Sequence, residues 1–359
     1  MSTLFHPALS LSILALCTLL IRPLILEAVK PTMSHSPAQT PPRSLTLTRV
    51  ANLTQGYGQH LAFSPDGEFL VASNGAGALY LWRNLQPWQT LSRPGELLHY
   101  PLVTADSQWI LAAPAVFNLA TQTWEELPAL TSELTAGLSE IPQGSFSSFS
   151  SIWSPDRQDL VVYTEYRPSR RLGDRADWQG PTKRLLLLQG KTRELQTVLW
   201  EGRASTGYRT LAINDRYIAA GAVSIRLWNR QTRQQVAELT QPSLVVRALD
   251  FNPTGTLLLG AGADRQVRLW ETANGALVKG WKAHNDDIQA LRFHPQRAIL
   301  ASGSGDRQLK LWTLEGQLLA TETLEDGVEG LAFSFAGDFL AVAQGGPQAK
   351  ILVYRLQID

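Results

Sequence analysis

His284, Ser302 and Asp306 are the residue types of acyl transfer, in which an imidazole takes a hydroxyl proton while a carboxylate orients the ring. That chemistry needs an exposed nucleophile, an oxyanion site and a substrate cleft, and the chain has no G-x-S-x-G elbow. Gly75-Ala76-Gly77, Gly260-Ala261-Gly262 and Gly303-Ser304-Gly305 begin like a dinucleotide fingerprint. Each lacks the third glycine and none opens a helix, so all three are expected to be turns between the second and third strands of a repeat. His6, His35, His60, His99 and His294 are scattered without metal-ligand spacing, and a single cysteine, Cys17, cannot build a thiolate cage or an intrachain disulfide. The residues therefore imply no metal and no cofactor.

One segment does suggest binding chemistry. Residues 167–182 interrupt the repeat with Arg167, Arg170, Arg171, Arg175 and Trp178, and Lys183 and Arg184 follow directly. Long insertions into compact repeats often carry function. Arginines suit acidic protein surfaces or membrane headgroups, and a tryptophan suits an anchor.

These side chains must be held by short strands. Eleven tryptophans and 27 glycines point to many strands joined by tight turns, not to helical bundles. Leu-Trp closes a strand at Trp82, Trp228, Trp270 and Trp312, and from Trp228 onward an aromatic recurs every 42 residues as far as Tyr354. In phase with it, an apolar residue precedes a polar turn: Phe63-Ser64-Pro65-Asp66-Gly67, Trp153-Ser154-Pro155-Asp156, Phe251-Asn252-Pro253, Phe293-His294-Pro295, and weaker copies at Val103, Ile213 and Phe333. Seven markers predict seven repeats.

This pattern resembles the WD-repeat β-propeller family, in residue usage its bacterial members. The resemblance covers residues 44–357, at about 45 residues per blade. It implies an all-β, seven-bladed propeller. Blade six matches best, and the resemblance makes His284, Ser302, Asp306 and Trp312 a buried hydrogen-bonded tetrad rather than a catalytic group. Blades two, three and seven replace the tryptophan with Phe117, the aliphatic run Leu185–Leu188 and Tyr354. Residues 44–50 alternate like a strand without a neighbour and are expected to close the ring as the outer strand of blade seven.

On this frame the arginine-rich insertion joins the second and third strands of blade three, on the face that also carries Asp264-Arg265 and Asp306-Arg307. Arg265 and Arg307 extend its basic tendency. The opposite face carries Asn229–Gln235, whose glutamines and arginines read as solubilising. The family resemblance implies a non-catalytic scaffold that docks other proteins through its loop faces, with no small-molecule substrate. The rivals are basic-face binding to nucleic acid or to membrane headgroups, and a hydrolase built around the channel. With 32 basic against 31 acidic residues, net charge argues against nucleic acid. The hydrolase needs convergent Asp, His or Glu on inner strands such as Ala248–Phe251 and Ala290–Phe293, which offer little of it.

The first 30 residues form a hydrophobic signal- or anchor-like segment, uncharged from Pro7 to Ile21, and residues 31–43 read as a flexible linker. A span over residues 8–26 would place Arg22 near one end, where it could snorkel. Membrane association or export follows from that segment, with positive charges after it favouring a cytoplasmic globular part, and a simple cytoplasmic location follows if translation starts at Met33.

Overall fold

The computed structural model describes residues 45–54, 58–74, 77–93, 98–127, 144–168, 182–202, 208, 210–240, 245–347 and 349–358. The apolar segment and linker at 1–43 lie outside them. The described residues form 28 strands in seven four-stranded antiparallel sheets, each hydrogen-bonded in chain order except the last. Inner strands of successive blades touch in sequence, and blade seven returns to blade one, so the sheets form a ring around a central channel.

The ring closes through the two ends of the chain. In blade seven the outer strand is Leu45–Leu53, paired antiparallel with Lys350–Ile358 from Leu45 opposite Ile358 to Leu53 opposite Ile351. Leu45 and Leu47 pack against the cluster around Tyr354 and Leu356, while a bulge between Arg49 and Ala51 leaves Val50 exposed. The strand expected at 44–50 is present and runs three residues further.

Blade-to-blade packing explains several glycines. In blades four and six a glycine of the second strand receives the β-branched residue that opens the next blade's inner strand. A Cβ on Gly221 would stand 2.8 Å from Val246 Cγ1, and one on Gly303 would stand 2.1 Å from Val328 Cγ1. Gly260 and Gly262 lie inside the second strand Leu257–Gly262, and Gly303 inside Ile299–Ser304. The reading of Gly260, Gly262 and Gly303 as turn residues is therefore corrected, whereas Gly305 does lie in the turn; side chains of a neighbouring sheet crowd Gly260 and Gly303, and the Val245 carbonyl of its own blade crowds Gly262.

Turns between the first and second strands repeat a second device. Ser64, Thr104 and Ser154 accept the backbone N–H of Phe69, Trp109 and Asp159 at 2.8, 3.2 and 2.9 Å and donate to Asp66, Asp106 and Asp156. His294 takes the serine's place in blade six. Its Nδ1 accepts the N–H groups of Gln296 and Arg297 at 3.1 Å, and its Nε2 donates to the Gly337 carbonyl of blade seven at 2.9 Å. Burial keeps this imidazole below its ordinary pKa, as a neutral ring accepting at Nδ1 requires.

Candidate functional site

Blade six brings its four polar residues together. His284 enters just before the inner strand Ile288–Phe293, Ser302 sits on the second strand, Asp306 in the following turn and Trp312 on the third strand Gln308–Thr313. His284 Nδ1 lies 3.1 Å from both Asp306 oxygens, His284 Nε2 lies 2.7 Å from Ser302 Oγ, and Trp312 Nε1 donates to Ser302 Oγ at 2.8 Å. With the indole donating to Ser302, the hydroxyl proton goes to His284 Nε2 and Nδ1–H goes to Asp306. The imidazole is thus neutral, and desolvation holds its pKa below the ordinary value. Burial alone would raise Asp306, but the Asn285 N–H, His284 and the Gln308 N–H together hold it below the usual carboxylate range. His284 is 1% and Ser302 0% exposed, so the hydroxyl cannot meet a substrate.

The other blades lack this network for a local reason. Register places Ala72, Ala220, Gly260 and Val342 where Ser302 stands. The buried Trp82 Nε1 accordingly has no hydrogen-bond partner among the described residues.

A second set of candidate residues lies in loops. Arg265 and Arg307 occupy equivalent turns between second and third strands, both in the left-handed region at φ 65 and 67°. Both side chains are exposed and neither has an ion-pair partner among the described residues. The connection of blade three opens on the same face, because it too joins second to third strand, Asp159–Pro168 to Thr182–Gln189. Arg170, Arg171, Arg175 and Trp178 lie outside the described residues, and Arg167 is described only in backbone, opposite Ser145. The first two strands of blade three have ten residues each, against four to six in the other blades, so this hairpin extends past its neighbours.

Three expectations about charge are corrected. Lys183 and Arg184 belong to a buried strand, where Lys183 Nζ lies 3.9 Å from Glu165 and Arg184 Nε 2.8 Å from Glu201. They drop out of the exposed basic set. Around blades six and seven the same face also presents Asp286, Asp287, Glu325 and Asp326, so it is mixed in sign rather than basic. On the opposite face Asn229–Gln235 is no mere solubilising turn. Arg230 is buried and ion-paired to Asp156 and Asp159 of blade three, and Arg233 Nη2 donates to Gln196 Oε1 at 2.6 Å.

The central channel carries more charge than its inner strands lead one to expect. Its cavity measures about 1190 Å³ and is lined by all seven inner strands. Asp250 of Val246–Phe251 and Arg292 of Ile288–Phe293 both line it, on the very strands expected to offer little. Asp250 Oδ2 accepts the Phe293 N–H at 2.7 Å, and desolvation, opposed by Arg292 and that N–H, pushes the carboxyl up to about 6. The signal was present as two charges at channel-facing positions of otherwise apolar strands.

The family description "WD domain, G-beta repeat" matches residues 233–271 and 275–313. The chain carries WD40 repeats. Each matched WD40 unit starts on the outer strand of one blade and ends on the third strand of the next, Gln235–Leu239 through Gln266–Glu271 in the first case. That offset is the same one by which Leu45–Leu53 completes blade seven. Curated relatives match short stretches. A WD repeat-containing protein 91 homolog of Dictyostelium discoideum is 32% identical over 60 residues, 17% of this chain and 8% of that protein. Protein ROOT INITIATION DEFECTIVE 3 of Arabidopsis thaliana is 31% identical over 88 residues, 23% of this chain and 20% of that protein. Apoptotic protease-activating factor 1 of Danio rerio is 33% identical over 87 residues, 24% of this chain and 6% of that protein. The chain thus spans at most a fifth of these relatives, whose sources lend no support to a bacterial likeness.

Proposed function

We propose that this WD40 propeller is a non-catalytic docking platform for other proteins, engaging them on the face of the second-to-third-strand turns. The observation that carries this reading is the extended second strand of blade three, which leads into the arginine-rich connection on the face where Arg265 and Arg307 stand exposed. Arg167, Arg170, Arg171, Arg175 and Trp178 would supply planar donors and one aromatic anchor, with Arg265 and Arg307 as outlying contacts. A ring of sheets offers such a face at little cost in ordering, which favours binding. The mixed charge around blades six and seven favours a protein partner over a polyanion, for which one sign would dominate. Burial of His284 and Ser302 removes the blade-six residues as a nucleophilic pair.

The test is affinity purification from native cells with the full chain and with a variant carrying Ser at Arg167, Arg170, Arg171 and Arg175. Loss of one or more partners with unchanged thermal unfolding supports the reading. Retention of every partner overturns it, and capture of nucleic acid that falls away steeply with salt would move the function to the rival class.

A further inference from the structure

At one level of the channel wall, charge stands on one side only. The next-to-last residue of each inner strand lines it at one level, and three of the seven are alanine. Leu102 and Ile152 face inward from blades two and three, and Asp250 and Arg292 from blades five and six. The order of blades around the ring sets the apolar pair across from the charged pair.

The two charges do not satisfy each other. Asp250 takes the Phe293 N–H and makes no ion pair among the described residues. Arg292 Nη1 donates to its neighbour's carbonyl, Leu291 O, at 2.7 Å, and the rest of its fork is unpaired among the described residues. A half-buried carboxylate that makes no ion pair among the described residues and a guanidinium with donors to spare thus stand on neighbouring inner strands, in a cavity of about 1190 Å³. Burying either charge unpaired is costly, and a ligand supplying both opposite charges offsets both costs.

We propose that the channel binds a small zwitterion with an apolar body, of the amino-acid class. Its ammonium group pairs with Asp250, its carboxylate with the fork of Arg292, and its body lies toward Leu102 and Ile152. A simple amine meets Arg292 and a simple carboxylate meets Asp250, so each singly charged analogue is opposed by one wall residue.

Titration calorimetry on the full chain would compare L-leucine with 3-methylbutylamine and 3-methylbutanoate, which share its branched body and carry one charge each. Leucine is expected to bind, with each analogue weaker by about tenfold or more. Asp250→Asn and Arg292→Gln are each expected to weaken leucine by a similar factor, with the thermal transition of the unliganded protein retained. No heat with any of the three probes at millimolar concentration overturns the proposal. So does equal affinity for leucine and the amine, or unchanged affinity in a folded variant. Should Asp250→Asn fail to fold, Arg292→Gln decides alone, because its guanidinium holds no other chain segment than its own strand.

Discussion

Arg230 Nε lies 2.6 Å from Asp159 Oδ2, so a turn of blade four is held to the second strand of blade three by a buried ion pair. The same guanidinium reaches both oxygens of Asp156 through Nη2 at 2.8 Å. Arg230 and Asp159 side chains are 9% and 12% exposed, so the pair is shielded from salt and depends on its geometry.

Removing one partner leaves the other charge buried. Arg230→Met is expected to destabilise the protein by about 3 kcal/mol, and the double variant Arg230→Met, Asp159→Leu by distinctly less. Urea unfolding of the two variants and the parent measures this. Equal losses in the single and double variants would show that the pair does not couple the blades.

Ser302→Ala removes the group that both His284 and Trp312 address. The expected loss is about 1–3 kcal/mol, because two buried donors or acceptors lose their partner at once. The pH dependence has a fixed sign. His284 has its pKa lowered by burial from 6.5 in the folded state, so the unfolded chain binds the proton better. Stability contributed by the neutral ring is full above pH 6.5 and declines as pH falls below that value. His284→Gln should flatten that decline in thermal unfolding scans between pH 7 and 5. A slope identical to the parent's would place the titration elsewhere.

Asp250 acts in the opposite direction. Its carboxyl is raised from 3.8 to about 6, so the folded state holds the proton better. This group costs nothing below pH 3.8, and its cost grows as pH rises to about 6 and then stays constant. Asp250→Asn should therefore be more stable than the parent at pH 8 by about 1 kcal/mol and equal to it near pH 4. The figure is below the full shift because the side chain borders the channel. A variant less stable than the parent at pH 8 would show that the charged carboxylate is held by more than the Phe293 N–H.

Deleting residues 44–50 takes most of the outer strand from blade seven. Leu45 and Leu47 leave the cluster around Tyr354 and Leu356, and the Lys350–Ile358 strand loses its outer partners from Tyr354 to Ile358. A loss of about 3 kcal/mol or more is expected by thermal unfolding, as the ring opens at one edge. Unchanged unfolding would mean that three strands suffice in that blade.

Much of the architecture was legible along the chain because it is periodic. Seven turn markers, with an aromatic every 42 residues from Trp228 to Tyr354 in phase with them, state how many sheets form. Alternation over 44–50 next to a short last blade located the ring closure. The four positions in blade six were legible for the same reason, since each falls at a fixed offset within one repeat.

What a repeat does not encode had to wait for three dimensions. Arg230 meets Asp159 across 71 residues, and nothing local in a glutamine-rich turn marks one arginine as buried and its neighbours as solvated. Gly260 and Gly303 looked like turn glycines, yet their positions follow from the side chains of neighbouring sheets. Lys183 and Arg184 read as part of a basic loop until the sheet register put them in a buried strand. Asp250 and Arg292 sit 42 residues apart on apolar strands, and only closing the ring sets them side by side on one wall. Periodicity fixes which face of a strand is covered, whereas the partner across a blade interface depends on how whole sheets pack, and that is a property of the folded ring.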